Sequence, residues 1–291
     1  MSVATEIERL QSAKASIKAS IENKGVTVGD VRIDEYANKI DEIQAGGGDD
    51  SSNLAIIYTE CSEDGRPTKA TLNQLLHTSV PTYCFNANWL HALLTEVTLP
   101  NGITSVDMYG LSGLKADVIW NDGLTKINTY GCQSATGITT LPPYLNDPGS
   151  YAFSGCTGLK FEELPQSLTT IKQSSVFEKC TGLTKVTCYI TNMSGTSVFN
   201  ACTNLERIIF KKSFSTIGAK VFYGCTKLKA VVFEDTPPTT LSNTNAFTNT
   251  LIASGTGYIY MPDNLVDSYK SKSNWSTYAD QIKPLSEYVE E

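Results

Sequence analysis

At 291 residues the chain is long enough for a sizeable core and for one elongated domain with an appendage. Its net charge of −7 argues against nucleic acid as a partner, because phosphate binding needs clustered Lys and Arg. No run approaches the roughly 18 apolar residues of a membrane helix, so membrane insertion is not expected.

Residues 3–24 read as a helix, with Thr5 and Glu8 spaced as a capping box. Ile7, Leu10, Ile17 and Ile21 fall on a 3-4 seam, and Lys14 takes its one polar place. That short heptad pattern fits either a coiled coil made with copies of itself or an amphipathic helix folded on its neighbour. Self-association of three copies is the preferred reading, and docking of residues 1–45 into a different protein of the same assembly comes second. Charged residues run through Ser2 to Lys24, so the apolar core of a secretory signal is not seen there. Gly25 to Gly29 breaks the helix, and a second one runs from Asp34 to about Gln44 with Ile33, Tyr36, Ala37, Ile40 and Ile43 on one face. Residues 1–45 therefore read as a helical anchor. Residues 46–52, Gly-Gly-Gly-Asp-Asp-Ser-Ser, read as a flexible linker and domain boundary.

Residues 53–92 are assigned to an N-terminal cap, with a strand at Leu54–Tyr58 and a short helix at Thr71–Leu76. Repeats then begin in degenerate form at Val97, Leu99, Ile103 and Val106. Leu114, Ile138, Leu159, Leu183, Leu205 and Leu228 continue them at separations of 24, 21, 24, 22 and 23 residues.

Between residues 150 and 230 the pattern becomes strict. Phe153-Ser-Gly-Cys156-Thr-Gly-Leu159 returns from Phe177 through Cys180 to Leu183, from Phe199 through Cys202 to Leu205, and from Phe222 through Cys225 to Leu228. The shared core is F-x-x-C-T-x-L at spacings of 24, 22 and 23 residues. A unit of about two dozen residues cannot bury its own apolar face and must stack on its neighbours. Stacking turns Phe153, Phe177, Phe199 and Phe222 into one inward row, and Cys156, Cys180, Cys202 and Cys225 into another. A small apolar thiol suits a tight inner corner, and Phe fills the wider core. A hydroxyl in place of such a thiol would be expected to lack a partner. Because each of these four cysteines has this packing place, they are expected to be reduced thiols and not disulfides.

After each Leu the apolar residues alternate, as at Val186 and Cys188, Ile208 and Phe210, and Val231 and Phe233, which is strand periodicity. The residues between them should face outward: Thr187, Ile209 and Val232 in one row, and Tyr189, Lys211 and Glu234 in the next. Tyr189, Ile209, Lys211, Val232 and Glu234 are therefore the candidate ligand-facing residues. The array, residues 93–250, comprises about eight coils on this count. Residues 251–291 should close it with a final strand, a helix over Asn264–Lys272, and Trp275, Tyr278, Ile282 and Leu285 on one apolar face.

With these motifs the chain resembles the BspA-like class of leucine-rich repeats. The resemblance implies an α+β curved solenoid with caps at both ends, used as a binding or adhesion surface. The N-terminal stretch, Leu10 to Lys18, Ile21 to Val28 and Ile33 to Ile40, is similar to segments in structural proteins of bacteriophages, which there precede a glycine-rich linker and a variable distal domain. Together these imply a virion protein of a tail or capsid fibre whose solenoid contacts a host-surface glycan or protein. A bacterial cell-surface adhesin of the same repeat class is the alternative.

Catalytic motifs are missing from the sequence: no G-x-S-x-G, Walker loop or H-E-x-x-H occurs. Glu162–Glu163, and Glu60 with Glu63–Asp64, are paired carboxylates of the kind that surface acids supply in an acidic protein. With two His and no paired C-x-x-C, neither a metal site nor a cofactor is expected.

Overall fold

The computed structural model describes residues 56–62, 67–72, 77–85 and 93–290. The chain divides between Leu54 and Ala55, and every described residue lies in the second part. The expected anchor residues Ile7, Leu10, Ile17 and Ile21, and the linker at 46–52, lie outside the described residues.

The described chain winds as a β-solenoid of about nine turns. Two rows of strands run along it. The main row begins with β1 (Ile56–Cys61) antiparallel to β2 (Pro67–Leu72), and β2 then pairs in parallel with β4 (Glu96–Thr98) and β4 with β6 (Asp117–Ile119). It resumes as the parallel set β9 (Lys185–Cys188), β10 (Arg207–Phe210), β12 (Ala230–Phe233), β14 (Tyr258–Met261) and β15 (Ile282–Pro284). A second row of two-residue strands contains β3 (Ser79–Val80), β5 (Ser105–Val106), β7 (Lys126–Ile127) and β8 (Asp147–Pro148), and continues in β11 (Thr216–Ile217) and β13 (Thr240–Leu241). Each turn thus contributes one inward apolar residue to the short row, such as Val80, Val106 and Ile127, all fully buried.

The third side carries neither helix nor strand until the 3-10 helix at Thr244–Phe247, yet its backbone bonds from turn to turn. Phe153 N–H donates to Val176 O at 2.9 Å, Phe177 N–H to Val198 O at 2.8 Å and Phe199 N–H to Val221 O at 2.9 Å. Two residues before and two after the Phe, the same bonding repeats: Tyr151 N–H to Ser174 O at 3.0 Å and Gly155 N–H to Glu178 O at 2.7 Å. Those flanking positions are left-handed in turn after turn. The first row contains Tyr109, Tyr130, Tyr151, Ser175, Ser197 and Lys220 at φ between 55° and 60°, and the second Gly113, Ser134, Gly155, Lys179, Ala201, Gly224 and Asn249 at φ between 56° and 75°. Alternating left-handed residues aim successive N–H groups at the next turn, so the coil closes without a helix. The local strain of about 1–2 kcal/mol for a non-glycine residue is offset by those bonds.

Inside, Phe153, Phe177, Phe199, Phe222 and Phe247 stack with centroids 5.3 to 6.0 Å apart, all fully buried. The row extends further back than the motif does. Phe85, Leu111 and Cys132 occupy the same column, since Phe85 N–H donates to Gly110 O and Cys132 N–H to Ala152 O. The repeat path is therefore already running at Val80 and Phe85, ahead of the start expected at residue 93. Leu114 stands in the cysteine column and not in the Leu column. Its N–H bonds Leu111 O, as Cys156 N–H bonds Phe153 O. The expected helix at Thr71–Leu76 is also corrected, because Thr71 and Leu72 belong to β2, where Thr71 pairs with Thr98. Residues 73–76 lie outside the described residues.

At the C-terminal end, helix α1 (Val266–Lys270) and a 3-10 helix at Trp275–Gln281 close the stack. Trp275 is fully buried and meets Phe233 and Tyr269 edge-on. Tyr278 meets Phe247 edge-on and donates its hydroxyl to Thr244 O.

The left-handed rows make a simple prediction. Ala201→Gly should leave stability unchanged or raise it by up to about 1 kcal/mol, whereas the same change in an ordinary strand or helix costs about that much. Gly155→Ala should cost about 1–2 kcal/mol, since its Cβ would be left-handed and 3.2 Å from Ser134 Oγ. Urea midpoints of both variants measure the pair, and a clear loss in Ala201→Gly would contradict the strain assigned there.

Candidate binding surfaces

Chemistry is best sought first among the thiols, the most nucleophilic groups in the chain. All eight cysteines are free, and all but Cys61 are buried. In the repeat column each thiol donates to a backbone carbonyl of the preceding turn: Cys156 Sγ to Cys132 O at 2.9 Å, Cys180 to Phe153 O at 3.1 Å, Cys202 to Phe177 O at 3.1 Å and Cys225 to Phe199 O at 3.0 Å. A hydroxyl at these places would meet the same acceptor, which corrects the expectation that it would lack one. Burial pushes the thiols of Cys84 and Cys156 up to about 12, and those of Cys132, Cys180, Cys188 and Cys202 well above the ordinary value. Protonated and enclosed, they serve as packing groups and not as nucleophiles.

The paired carboxylates do not converge on a pocket. Glu162 and Glu163 are exposed, and Glu60 pairs with Lys69 Nζ at 3.2 Å. Glu63, Asp64 and His91 lie outside the described residues. Among the described residues no group of His, Cys, Asp and Glu is arranged to hold a metal ion. No helix among them is long and apolar enough to cross a membrane.

The outward face of β9, β10 and β12 is where ligand contact was expected. Lys211 and Glu234 are exposed there, and they bond each other across neighbouring strands at 2.5 Å. Tyr189 is half-buried beneath the Lys212 ammonium, 5.7 Å from the ring centroid. Ile209 and Val232 require correction, because they point outward yet are 3% and 0% exposed. The C-terminal segment after β15 folds back across them, and Tyr260, Leu285 and Tyr288 pack on Ile209, Ala230 and Val232 as a second small core. The end of that segment is held by Glu290, whose carboxylate lies 2.6 Å from Lys185 Nζ.

A second surface was not anticipated from the sequence. Tyr83, Tyr109, Tyr130 and Tyr151 occupy the first left-handed row in consecutive turns, and their rings stack with centroids 5.1, 5.1 and 5.0 Å apart. Tyr83 is 49% exposed and Met108 beside the row 45%. Because each inner ring is covered on both faces by its neighbours, the row offers edges and hydroxyl groups rather than open ring faces. It can therefore form several parallel hydrogen bonds along the solenoid, but it offers only the end ring as a stacking platform. The signal was present in the sequence as four Tyr at separations of 26, 21 and 21 residues.

Two clefts flank the C-terminal end. One of about 530 Å³ lies among Thr244, Thr248, Asn249, Tyr278 and Gln281, and the other, of about 190 Å³, lies between the sheet and the C-terminal segment.

The family described as BspA type leucine rich repeat region matches six copies over residues 78–192 and 128–253. No curated protein matches the chain. Among solved structures, a leucine-rich repeat protein from Bacteroides ovatus is similar at 18% identity and a TM-score of 0.45, over 72% of this chain and 58% of that one. The T. pallidum leucine rich repeat protein is similar at 22% identity and 0.42, over 58% of this chain and 86% of the other. A leucine rich cell surface protein from Faecalibacterium prausnitzii is similar at 20% identity and 0.34, over 66% and 59%. The chain thus spans a little under three fifths of the length of the Bacteroides ovatus protein.

The six thiols whose ionisation burial disfavours, Cys84, Cys132, Cys156, Cys180, Cys188 and Cys202, generate a pH prediction. The unfolded thiol ionises near pH 8.5, while the folded thiols stay protonated because burial disfavours the charge. Their contribution to stability is whole below about pH 8.5 and is lost as pH rises from there toward the folded values, at up to about 1.4 kcal/mol per pH unit for each thiol. Tyr269 and Tyr278, also raised by burial, add the same sign from about pH 10 upward. Under a reductant, the urea midpoint should hold below about pH 8 and fall steeply between about pH 8.5 and 10.5. A flat midpoint would show that the thiols are not enclosed.

Proposed function

The chain belongs to the BspA-type leucine-rich-repeat family, and from that premise we propose a binding protein without catalytic activity. Specifically, it is a bacteriophage virion protein, of a tail or capsid fibre, that presents its solenoid to the host surface. The observation that carries the binding half is the contrast between the two sides of the sheet. The inward rows repeat Phe, Cys, Val and Ile from turn to turn, whereas an outward row passes from cation to small apolar to aromatic, as Lys185, Arg207, Ala230 and Tyr258 do. Constant inside and varied outside is the pattern of a scaffold that displays side chains. The described carboxylates and thiols do not converge on any cleft, which supports binding over catalysis.

The virion half rests on residues 1–45. Ile7, Leu10, Ile17 and Ile21 form a seam suited to self-association, with three copies preferred. The segment's likeness to phage structural proteins, followed by the glycine-rich stretch, supports mounting on a particle. A bacterial cell-surface adhesin is the second reading, favoured by the repeat class itself. The solenoid's partner in either case is a surface glycan or protein.

Antibodies against residues 53–291 separate the two readings. On the virion reading they label density-banded particles from the source, and Leu10→Asp with Ile17→Asp both abolishes incorporation and turns the purified full chain from oligomer to monomer in light scattering. Label confined to the cell envelope, with no particle carrying the chain, would replace it with the adhesin reading.

A further inference from the structure

The outward face of β9, β10 and β12 has an occupant, and the chemistry of that occupant identifies what the face takes. In a solenoid the outward positions of a parallel sheet meet solvent. Here Ile209, Ala230 and Val232 form an apolar strip that the chain itself covers with Leu285 and Tyr288 from the segment beyond β15. Around the strip stand cations: Lys185 and Arg207 at one edge, Lys211 at the other, and Lys229 in the next turn. The covering segment, Leu285 to Glu290, supplies the complement, with an aromatic ring on the strip and a carboxylate on Lys185. Lys185 chiefly, then Arg207 and Lys211, hold the Glu290 carboxyl below the usual carboxylate range. Lys185 is therefore already engaged by the segment's carboxylate, while Lys211 pairs with Glu234 and Lys229 with Glu206 of neighbouring turns.

The fit is incomplete in two respects. The Tyr288 hydroxyl is buried with no hydrogen-bond partner, which disfavours this seating relative to one that pairs it. A cleft of about 190 Å³ is also left between the segment and the sheet, bounded by Arg207, Lys229, Tyr258 and Tyr260. The segment itself is short and includes Val289, 77% exposed, and its one regular element is a three-residue 3-10 turn at Leu285–Glu287. It is built as a strap and not as a further coil.

We propose that this face is a docking surface for an extended acidic peptide segment bearing an aromatic residue, and that the chain's own Leu285–Glu290 occupies it until such a partner displaces it. The proposal rests on the binding reading of the solenoid, but it concerns only this face and is tested apart from any virion. A partner peptide places its ring over Ile209 and Val232 and its carboxylates on Lys185 and Arg207. Removal of the strap uncovers the site.

The test uses the full chain and a fluorescein-labelled peptide with the sequence of residues 284–290. Tyr288→Ser with Glu290→Lys is expected to release the strap while the thermal transition remains cooperative. The peptide should then bind this double variant at least tenfold more tightly than the unmodified chain. Added salt should weaken binding, and a further Lys185→Glu should abolish it. Peptide binding to neither protein, or to both equally, overturns the proposal. So does loss of cooperative unfolding in the double variant, which would make the segment part of the core rather than a displaceable occupant. Whether antibodies label particles or envelopes has no bearing on these outcomes, so the two readings fail separately.

Discussion

Everything else in this solenoid depends on how its helix-free side is closed. From Leu111 to Phe222 each turn places two left-handed residues around the column residue, and this geometry aims N–H groups at the next turn, as Tyr151, Phe153 and Gly155 do toward Ser174, Val176 and Glu178. Two or three bonds per step fix the register of one turn on the next. Only with that register fixed can Phe177 lie between Phe153 and Phe199, and only then does each thiol reach the carbonyl of the preceding turn. The motif F-x-x-C-T-x-L describes the side-chain half of a constraint whose other half is backbone. Where Lys220 reaches the last full step, its N–H takes the side-chain oxygen of Asn245, so the end of the ladder is satisfied by a side chain in place of a carbonyl.

From this constraint the division of labour follows. Inward positions are dictated by stacking, because every change is felt by the turns on both sides. Outward positions are free to vary, and they vary in charge and size. The isolated surface ion pairs among them, such as Lys126 with Asp147 at 3.3 Å, add little to stability. Their value is in what the face presents. One stretch of that face is turned into a small core by the C-terminal segment, and another presents a row of stacked tyrosines by its edges.

The inward rows were legible in the sequence because repetition makes them so: Phe153, Cys156 and their successors occupy equivalent places four times. The earlier turns were harder. Leu111, Cys132 and Phe85 fill the Phe column with different residues, and a shorter turn shifted Leu114 into the cysteine column, so counting leucines alone misassigned it. Thr71 and Leu72 were read as helix, while pairing with β4 makes them strand, a tertiary effect that local propensity does not contain. Ile209 and Val232 could not be recognised as covered, since the residues that cover them, Leu285 and Tyr288, come more than 50 positions later and follow no repeat. The tyrosine row is written in the same periodicity, since Tyr83, Tyr109, Tyr130 and Tyr151 each stand two residues upstream of a column residue.

Native-state hydrogen exchange tests the closing constraint most directly. If backbone bonds on the helix-free side set the register, the amides of Tyr151, Phe153 and Gly155, with Ser175, Phe177 and Lys179, should be protected as strongly as those of the strand residues Val186 and Ile208. Exchange at those turn amides as fast as in an open loop, with the strands still protected, would contradict the account and leave side-chain packing as the force that stacks the turns.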